Sequence, residues 1–169
     1  MAKADLTAAR LRELLDYNPE TGVFTWRARP EHTRMKPGQI AGWVEKARGR
    51  ITVEVDGRNH KAHRLAWLHT HGEWPAGVID HKNGNPADNR LTNLRDTTQR
   101  INLQNQRRAR STSNSGVLGA HWCERDGGWH SSIGNDGKVF SVGRNFSTPE
   151  EAHAAYIAAK RRLHEGCTI

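Results

Sequence analysis

The sequence predicts an α+β fold in two parts. Three observations predict it. "RITVEV", "DGR" and "NHKAH" (residues 50–63) read as a β-hairpin leading straight into helical spacing. Residues 78–108 read as a short strand, an Asn-rich loop, a second short strand and a polar helix. Beyond the small, polar stretch "ARSTSNSG" the pattern resets to three strands and one strong helix. The expected boundaries are a first domain over 1–108, a linker over 109–115 and a second domain over 116–169, with no internal repeat.

Each element has its own warrant. In "LTAARLRELLDYNPETG", Leu11, Leu14 and Leu15 recur at helical spacing and Pro19 closes the pattern. "GVFTW" follows as a short strand. Residues 27–49 are basic and Gly-rich and show no period. In the hairpin, β-branched alternation runs into an Asp-Gly turn. "HRLAWLHTH" puts Leu65 and Leu68 on one helix side, and Gly72 and Pro75 stop it. "VIDH" and the segment around "NLR" are the short strands, and the polar helix covers Thr98 to Arg108. Past the linker, "VLGAHWCERD", "GWHSSIGND" and "KVFSVGRNF" are strands joined by Asp-Gly-Gly and Asn-Asp-Gly turns. In "STPEEAHAAYIAAKRRLHEG", Ser147 or Thr148 caps the helix, Pro149 sits in its first turn, and Glu150 and Glu151 meet the positive end of the dipole. Ala155, Ala158, Ala159 and Leu163 form its apolar face, and Gly166 ends it.

Composition sets the partners. Hydrophobic residues make up 35% of 169, so the core must be modest, and six Trp offset this with large buried area. The net charge of +8 and pI near 10.1 predict an anionic partner, nucleic acid first and an anionic membrane surface second. No apolar run approaches the ~20 residues of a spanning helix, and "MAKADLTAARLREL" lacks the apolar core of a signal peptide. The expectation is a soluble, intracellular protein. Cys123 and Cys167 form no CxxC pair, which argues against a structural zinc site built on thiolates and leaves two free thiols as the expectation in a reducing compartment.

"IDHKNGNPADNRLTNLR" (79–95) concentrates the chemistry. Asp80 supplies carboxylate oxygen and Asn102 a carbonyl oxygen, a donor pair suited to Mg²⁺ or Mn²⁺ rather than zinc. His81 can accept a proton near neutral pH. Adjacent residues of a regular strand point to opposite faces, so the strand must end or distort at the pair, and Gly84 permits a sharp turn there. Taken alone, the loop also reads as an Asx-rich turn that satisfies its own backbone.

The stretch "IDHKNGNPADNRLTNLRDTTQRIN", preceded by "AHRLAW", resembles the motif of HNH endonucleases of the phage and intron-borne branch, over residues 5–108. The resemblance implies a ββα-metal finger. In it Asp80 and Asn102 hold one Mg²⁺ or Mn²⁺, His81 is the general base, and Asn93 positions that His and the loop. Asn102 stands where His is usual, as in part of the phage-type branch, and this argues against zinc. One such site cuts one strand, so a nicking, site-recognising enzyme acting as a monomer on double-stranded DNA is expected, phage-encoded and working in the host cytoplasm.

Residues 116–166 resemble the ethylene-response-factor DNA-binding domain through the frame "GV…W…W…F.T.EEA..AY..AA", with the run of sheet arginines thinned out. By position, Trp122, Arg125, Trp129, His130 and Arg144 are nominated for DNA contact. Arg95, Arg100, Arg107, Arg108 and Arg110 exceed what a helix C-terminus needs and are nominated for phosphates, against a solvated helix end. Asn89 and Asn105 are expected to be structural or DNA-facing. His63 is expected either to contact phosphate or to pack the hairpin. His60, His69 and His71 are expected in solvent, and Trp26, Trp43 and Trp67 in the core. The competing functions are a DNA-binding regulator with an inactive nuclease fold, and a structure-selective or RNA-directed nuclease. The intact Asp80, His81, Asn93 and Asn102 set disfavours the first. A sheet-type reader favours duplex DNA over RNA, whose deep major groove excludes it.

Overall fold

The computed structural model describes residues 5–29 and 35–169. The first four residues of the expected first domain and part of the unplaced 27–49 segment lie outside them. The chain divides into two compact units, Met1–Thr98 and Gln99–Ile169.

The first unit opens with α1 (Ala8–Leu14), capped by Thr7, whose side chain accepts from the Arg10 N–H. The helix is shorter than its spacing suggests. Leu15 is already extended and starts β1 (Leu15–Asn18), which pairs antiparallel with β2 (Val23–Trp26). The apolar period does not distinguish these states, because Leu11, Leu14 and Leu15 are buried either way. β3 (Trp43–Val44), β4 (Ile51–Val55) and β5 (Arg58–Lys61) form a sheet in the order β3-β4-β5. The β4–β5 turn is made by Asp56 and Gly57, both at positive φ (49° and 73°), the geometry a two-residue hairpin requires. α2 (Ala62–His71) follows at once and ends where Gly72 turns left-handed at φ 85°.

One core serves this unit. Leu11, Leu15, Phe24, Trp26, Val53, Val55, Leu65, Leu68, Ile79 and Leu94 are all buried in it. Each large side chain removed from water is worth ~1.5–3 kcal/mol, so α1, the hairpin and α2 hold one another. Ile79 and Leu94 belong to β6 (Val78–His81) and β7 (Leu94–Thr97), an antiparallel pair with Asp80 opposite Arg95 and His81 opposite Leu94. The same core therefore fixes the ends of both strands beside the Asn-rich loop. Trp26 is in the core as expected and Trp67 packs partly against it, but Trp43 is exposed on the short β3. His60 and His69 are half-buried rather than solvated: His60 stacks on Trp74 and His69 packs edge-on against Phe24.

The second unit holds α3 (Gln99–Gln104), a three-stranded antiparallel sheet of β8 (Ala120–Cys123), β9 (Gly128–Asn135) and β10 (Lys138–Phe146) in the order β10-β9-β8, and α4 (Pro149–Leu163). Thr148 caps α4 by accepting from the Glu151 N–H, and the Glu151 carboxylate accepts from the Ser147 N–H in return. The division falls at Thr98, ahead of the expected boundary at 108. The cause is local. Gln104 Oε1 accepts from the Gly166 N–H at 3.0 Å, and Arg107 donates to the Thr168 carbonyl and hydroxyl at 2.8 and 2.7 Å. The polar helix is thus tied to the C-terminal tail, and its helical part is six residues long.

Candidate active site

β6 ends at His81. The chain turns at once, with the Gly84 N–H donating to the His81 carbonyl at 2.8 Å and Gly84 at φ 71°. The Lys82 N–H donates to the Asn93 carbonyl at 2.8 Å, so the short 3₁₀ turn Leu91–Asn93 is pinned to the first residue of the loop. Ile79, Asp80 and His81 are all buried, so the two faces of the strand end are both covered.

His81 sits on a buried amide. Its Nε2 lies 3.1 Å from Asn89 Oδ1, and Asn89 is 1% exposed. With Oδ1 as acceptor, Nε2 carries the proton and Nδ1 is the basic nitrogen. Burial pushes the His81 pKa below its ordinary value, partly opposed by the Asn89 bond and the nearby Asp80 charge. The imidazole is therefore neutral at neutral pH and able to take a proton. His63, on α2, packs edge-on against it with ring centroids 5.1 Å apart. His63 is buried, and burial together with the His81 charge holds its pKa down at about 3. That decides between its two expected roles in favour of packing.

Asn93 is buried and spends its amide on the loop. Its Oδ1 accepts from the Asn83 N–H at 2.9 Å and its Nδ2 donates to the Asp88 carbonyl at 2.8 Å. The imidazole bond belongs to Asn89 instead. Asn89 is itself fixed by Tyr17, whose hydroxyl donates to the Asn89 carbonyl at 2.7 Å. Sequence reasoning missed this role because it depends on the path of the loop, and several Asn residues in the stretch fit it equally.

Asp80 is 5% exposed, and its Oδ2 accepts from Arg95 Nε and Nη2 at 2.9 and 2.8 Å. A carboxylate buried this far needs a cation. Arg95, nominated for phosphate, balances Asp80 here. The donor set suits a hard divalent ion, since carboxylate oxygen is what Mg²⁺ or Mn²⁺ takes. Asn102 is carried half-buried on α3 of the second unit.

Of the other nominated residues, Arg100 pairs with Asp136 and Glu165, and Arg107 holds Thr168, whereas Arg108 and Arg110 are exposed. Asn105 is buried and accepts from the Thr168 hydroxyl, a structural role. On the sheet, Trp122, Arg125 and Arg144 are exposed. Trp129 is half-buried, edge-on to Trp122 with centroids 5.5 Å apart. His130 is 8% exposed, which leaves little of its ring for the nominated DNA contact.

Known proteins resemble the chain over part of its length. Residues 60–104 match the family described as HNH endonuclease, a segment that includes Asp80, His81, Asn89, Asn93 and Asn102. The chain is 45% identical over 51 residues to DNA endonuclease I-HmuI of Bacillus phage SP01, covering 30% of this chain and 29% of that protein. It is 30% identical over 107 residues to Protein 3.8 of Escherichia phage T7, covering 62% of this chain and 84% of that one. A solved structure of the HNH homing endonuclease I-HmuI aligns with a TM-score of 0.40 at 31% identity, over 55% of this chain and 51% of that chain. The chain thus spans from under a third to about half of I-HmuI. Of one family with Protein 3.8 of Escherichia phage T7, the chain has β6, β7 and α3 in that order along its sequence and carries an HNH endonuclease domain over residues 60–104. HNH nucleases are generally divalent-metal dependent.

Proposed function

We propose that the chain is a site-recognising DNA endonuclease of the homing type that hydrolyses phosphodiester bonds in double-stranded DNA, one strand per site. The observation that carries this reading is the buried His81–Asn89 pair, which orients a neutral imidazole able to take a proton. Nδ1 takes a proton from a water, the water oxygen attacks phosphorus in line, and the 3′-oxygen leaves and is protonated by solvent. The products are a 5′-phosphate and a 3′-hydroxyl. A base positioned in this way is typically worth ~10²–10⁴ in rate. Asn93 keeps the loop that carries the pair in shape through its bonds to Asn83 and Asp88. Asp80 and Asn102 would hold one Mg²⁺ or Mn²⁺, which stabilises charge on the phosphate and leaving oxygen when bound.

Sequence reading is assigned to residues 116–166 as an ethylene-response-factor-like module, with the exposed Trp122, Arg125 and Arg144 as contacts. Arg108 and Arg110 supply sequence-blind phosphate contacts. The relatives come from phages, which supports a phage-encoded enzyme; the proposal is that it acts as a monomer in the host cell. Incubation with supercoiled plasmid, with and without Mg²⁺, tests the reading. Metal-dependent open circles are expected. A plasmid that stays supercoiled under saturating protein would leave the DNA-binding regulator as the function.

A further inference from the structure

The β8–β9 hairpin brings together three side chains that the nuclease chemistry does not use. Cys123 ends β8, Asp126 sits in the turn, and His130 lies on β9. Cys123 pairs with Gly128 across the ladder, and His130 is two residues further along β9. Their side chains therefore stand on one face of the hairpin as diagonal neighbours. One sulfur, one carboxylate oxygen and one ring nitrogen from this trio all lie within 4.8 Å of one another.

The contacts inside the trio are not those of an ordinary hydrogen-bonded turn. His130 is buried, and its Nε2 lies 3.1 Å from Asp126 Oδ2. Yet that nitrogen makes no hydrogen bond of acceptable geometry. A buried imidazole nitrogen without a bond is costly, and here it is aimed at the carboxylate and thiol. The Cys123 thiol bonds the same carboxylate. Arg125 holds Asp126 with both ends of its guanidinium, Nε to Oδ1 at 2.8 Å and Nη2 to Oδ2 at a longer 3.3 Å, and Oδ2 is the oxygen that faces His130. A Cys–His–Asp catalytic triad needs the imidazole between the other two groups. In this hairpin the carboxylate stands between them, so a nucleophilic site is not what the trio makes.

The geometry points to a zinc site on the β8–β9 hairpin, with Cys123 Sγ, an Asp126 oxygen and His130 Nε2 as ligands and a solvent molecule in the fourth position. A thiolate, an imidazole and a carboxylate form the mixed soft and borderline set that selects Zn²⁺ over Mg²⁺. Ligand bonds of ~2.0–2.3 Å place tetrahedral ligands about 3.3–3.8 Å apart. The trio reaches that with side-chain shifts of about an ångström, in which the half-buried Asp126 exchanges its longer Arg125 Nη2 contact for the ion and the half-buried Cys123 exchanges its bond to the carboxylate. Binding displaces the thiol proton to buffer. The spacing is C-x₂-D-x₃-H, so a search for paired cysteines passes over it. The site is separate from Asp80 and does not depend on the nuclease reading.

The test uses the full chain carrying Asp80→Asn, titrated with Co²⁺ as a spectroscopic stand-in for Zn²⁺. One equivalent should bind with a thiolate-to-cobalt charge-transfer band, and excess Zn²⁺ should bleach it. Cys123→Ser and His130→Gln should each remove the band, and Cys167→Ser should keep it. In the otherwise unaltered chain, Zn²⁺ should slow alkylation of Cys123 at least tenfold and leave Cys167 unchanged. No charge-transfer band, a band that survives Cys123→Ser or His130→Gln, or alkylation indifferent to Zn²⁺ would overturn the proposal. Plasmid nicking plays no part in these readouts, so failure here is distinguishable from failure of the endonuclease assignment.

Discussion

Asn89→Ala is the perturbation that separates the structure's account of the site from the sequence motif alone. The change removes the acceptor 3.1 Å from His81 Nε2 in a position 1% exposed, where water does not replace it. A neutral buried hydrogen bond is worth ~1 ± 0.5 kcal/mol net. At about 1.36 kcal/mol per decade of rate, losing it from the positioned base should lower kcat by roughly 2- to 12-fold. KM should hardly move, since Asn89 does not face substrate. The orphaned N–H should also cost ~1–3 kcal/mol of folding stability. Asn89→Asp should recover the rate, because a carboxylate accepts from Nε2–H more strongly. It also raises the His81 pKa, so the acid limb of the pH–rate profile moves to higher pH. Single-turnover nicking across pH, with urea unfolding alongside, reads all three effects. An Asn89→Ala enzyme with the original kcat, or an Asn89→Asp profile that does not move, would refute the positioning role.

Other expectations follow from the same contacts. Asn102→His should keep nicking and shift metal preference toward Zn²⁺, Ni²⁺ or Co²⁺; an unchanged order across a metal series would remove Asn102 from the ligand set. A chain cut after Arg110 should nick slowly and lose most of its site preference, each good base contact being worth ~1–3 kcal/mol. It also strips Gln104 and Arg107 of their partners at Gly166 and Thr168; cleavage mapping that shows the same site with undiminished preference would contradict this. His63 is held at a pKa of about 3 against 6.5 unfolded. The unfolded chain therefore takes up the proton first, and the stabilisation present above pH 6.5 drains away as pH falls toward 3. Between pH 7.5 and 5.5 the unaltered chain should lose ~1 kcal/mol more in urea unfolding than His63→Asn, and equal losses would contradict the burial argument.

The parts of this fold that were legible in the sequence are those whose signal is local. Asp56-Gly57 makes the hairpin turn that an Asp-Gly pair advertises, Gly72 ends α2, and Thr148 caps α4. The helix over the first segment was legible and its end was not, because Leu15 is buried equally well in a helix or in β1. The site divides the same way. Asp80 and His81 are adjacent in sequence and share a strand end, so their placement follows from the motif. Asn89 holding His81, Arg95 balancing Asp80 and the C-terminal tail gripping α3 all depend on how distant segments pack, which neither spacing nor composition encodes. The hidden trio at Cys123, Asp126 and His130 is another case, since only strand register places its members together.

The central claim is that His81 is the base of a phosphodiester hydrolysis. The most direct measurement compares the unaltered chain and His81→Ala on one supercoiled plasmid under single-turnover conditions with Mg²⁺, with duplex binding followed in parallel. The account predicts that nicking falls by ~10²–10⁴ while DNA affinity stays within about twofold, because one neutral imidazole adds little to phosphate attraction. Nicking at the original rate by His81→Ala, with binding intact, would contradict it.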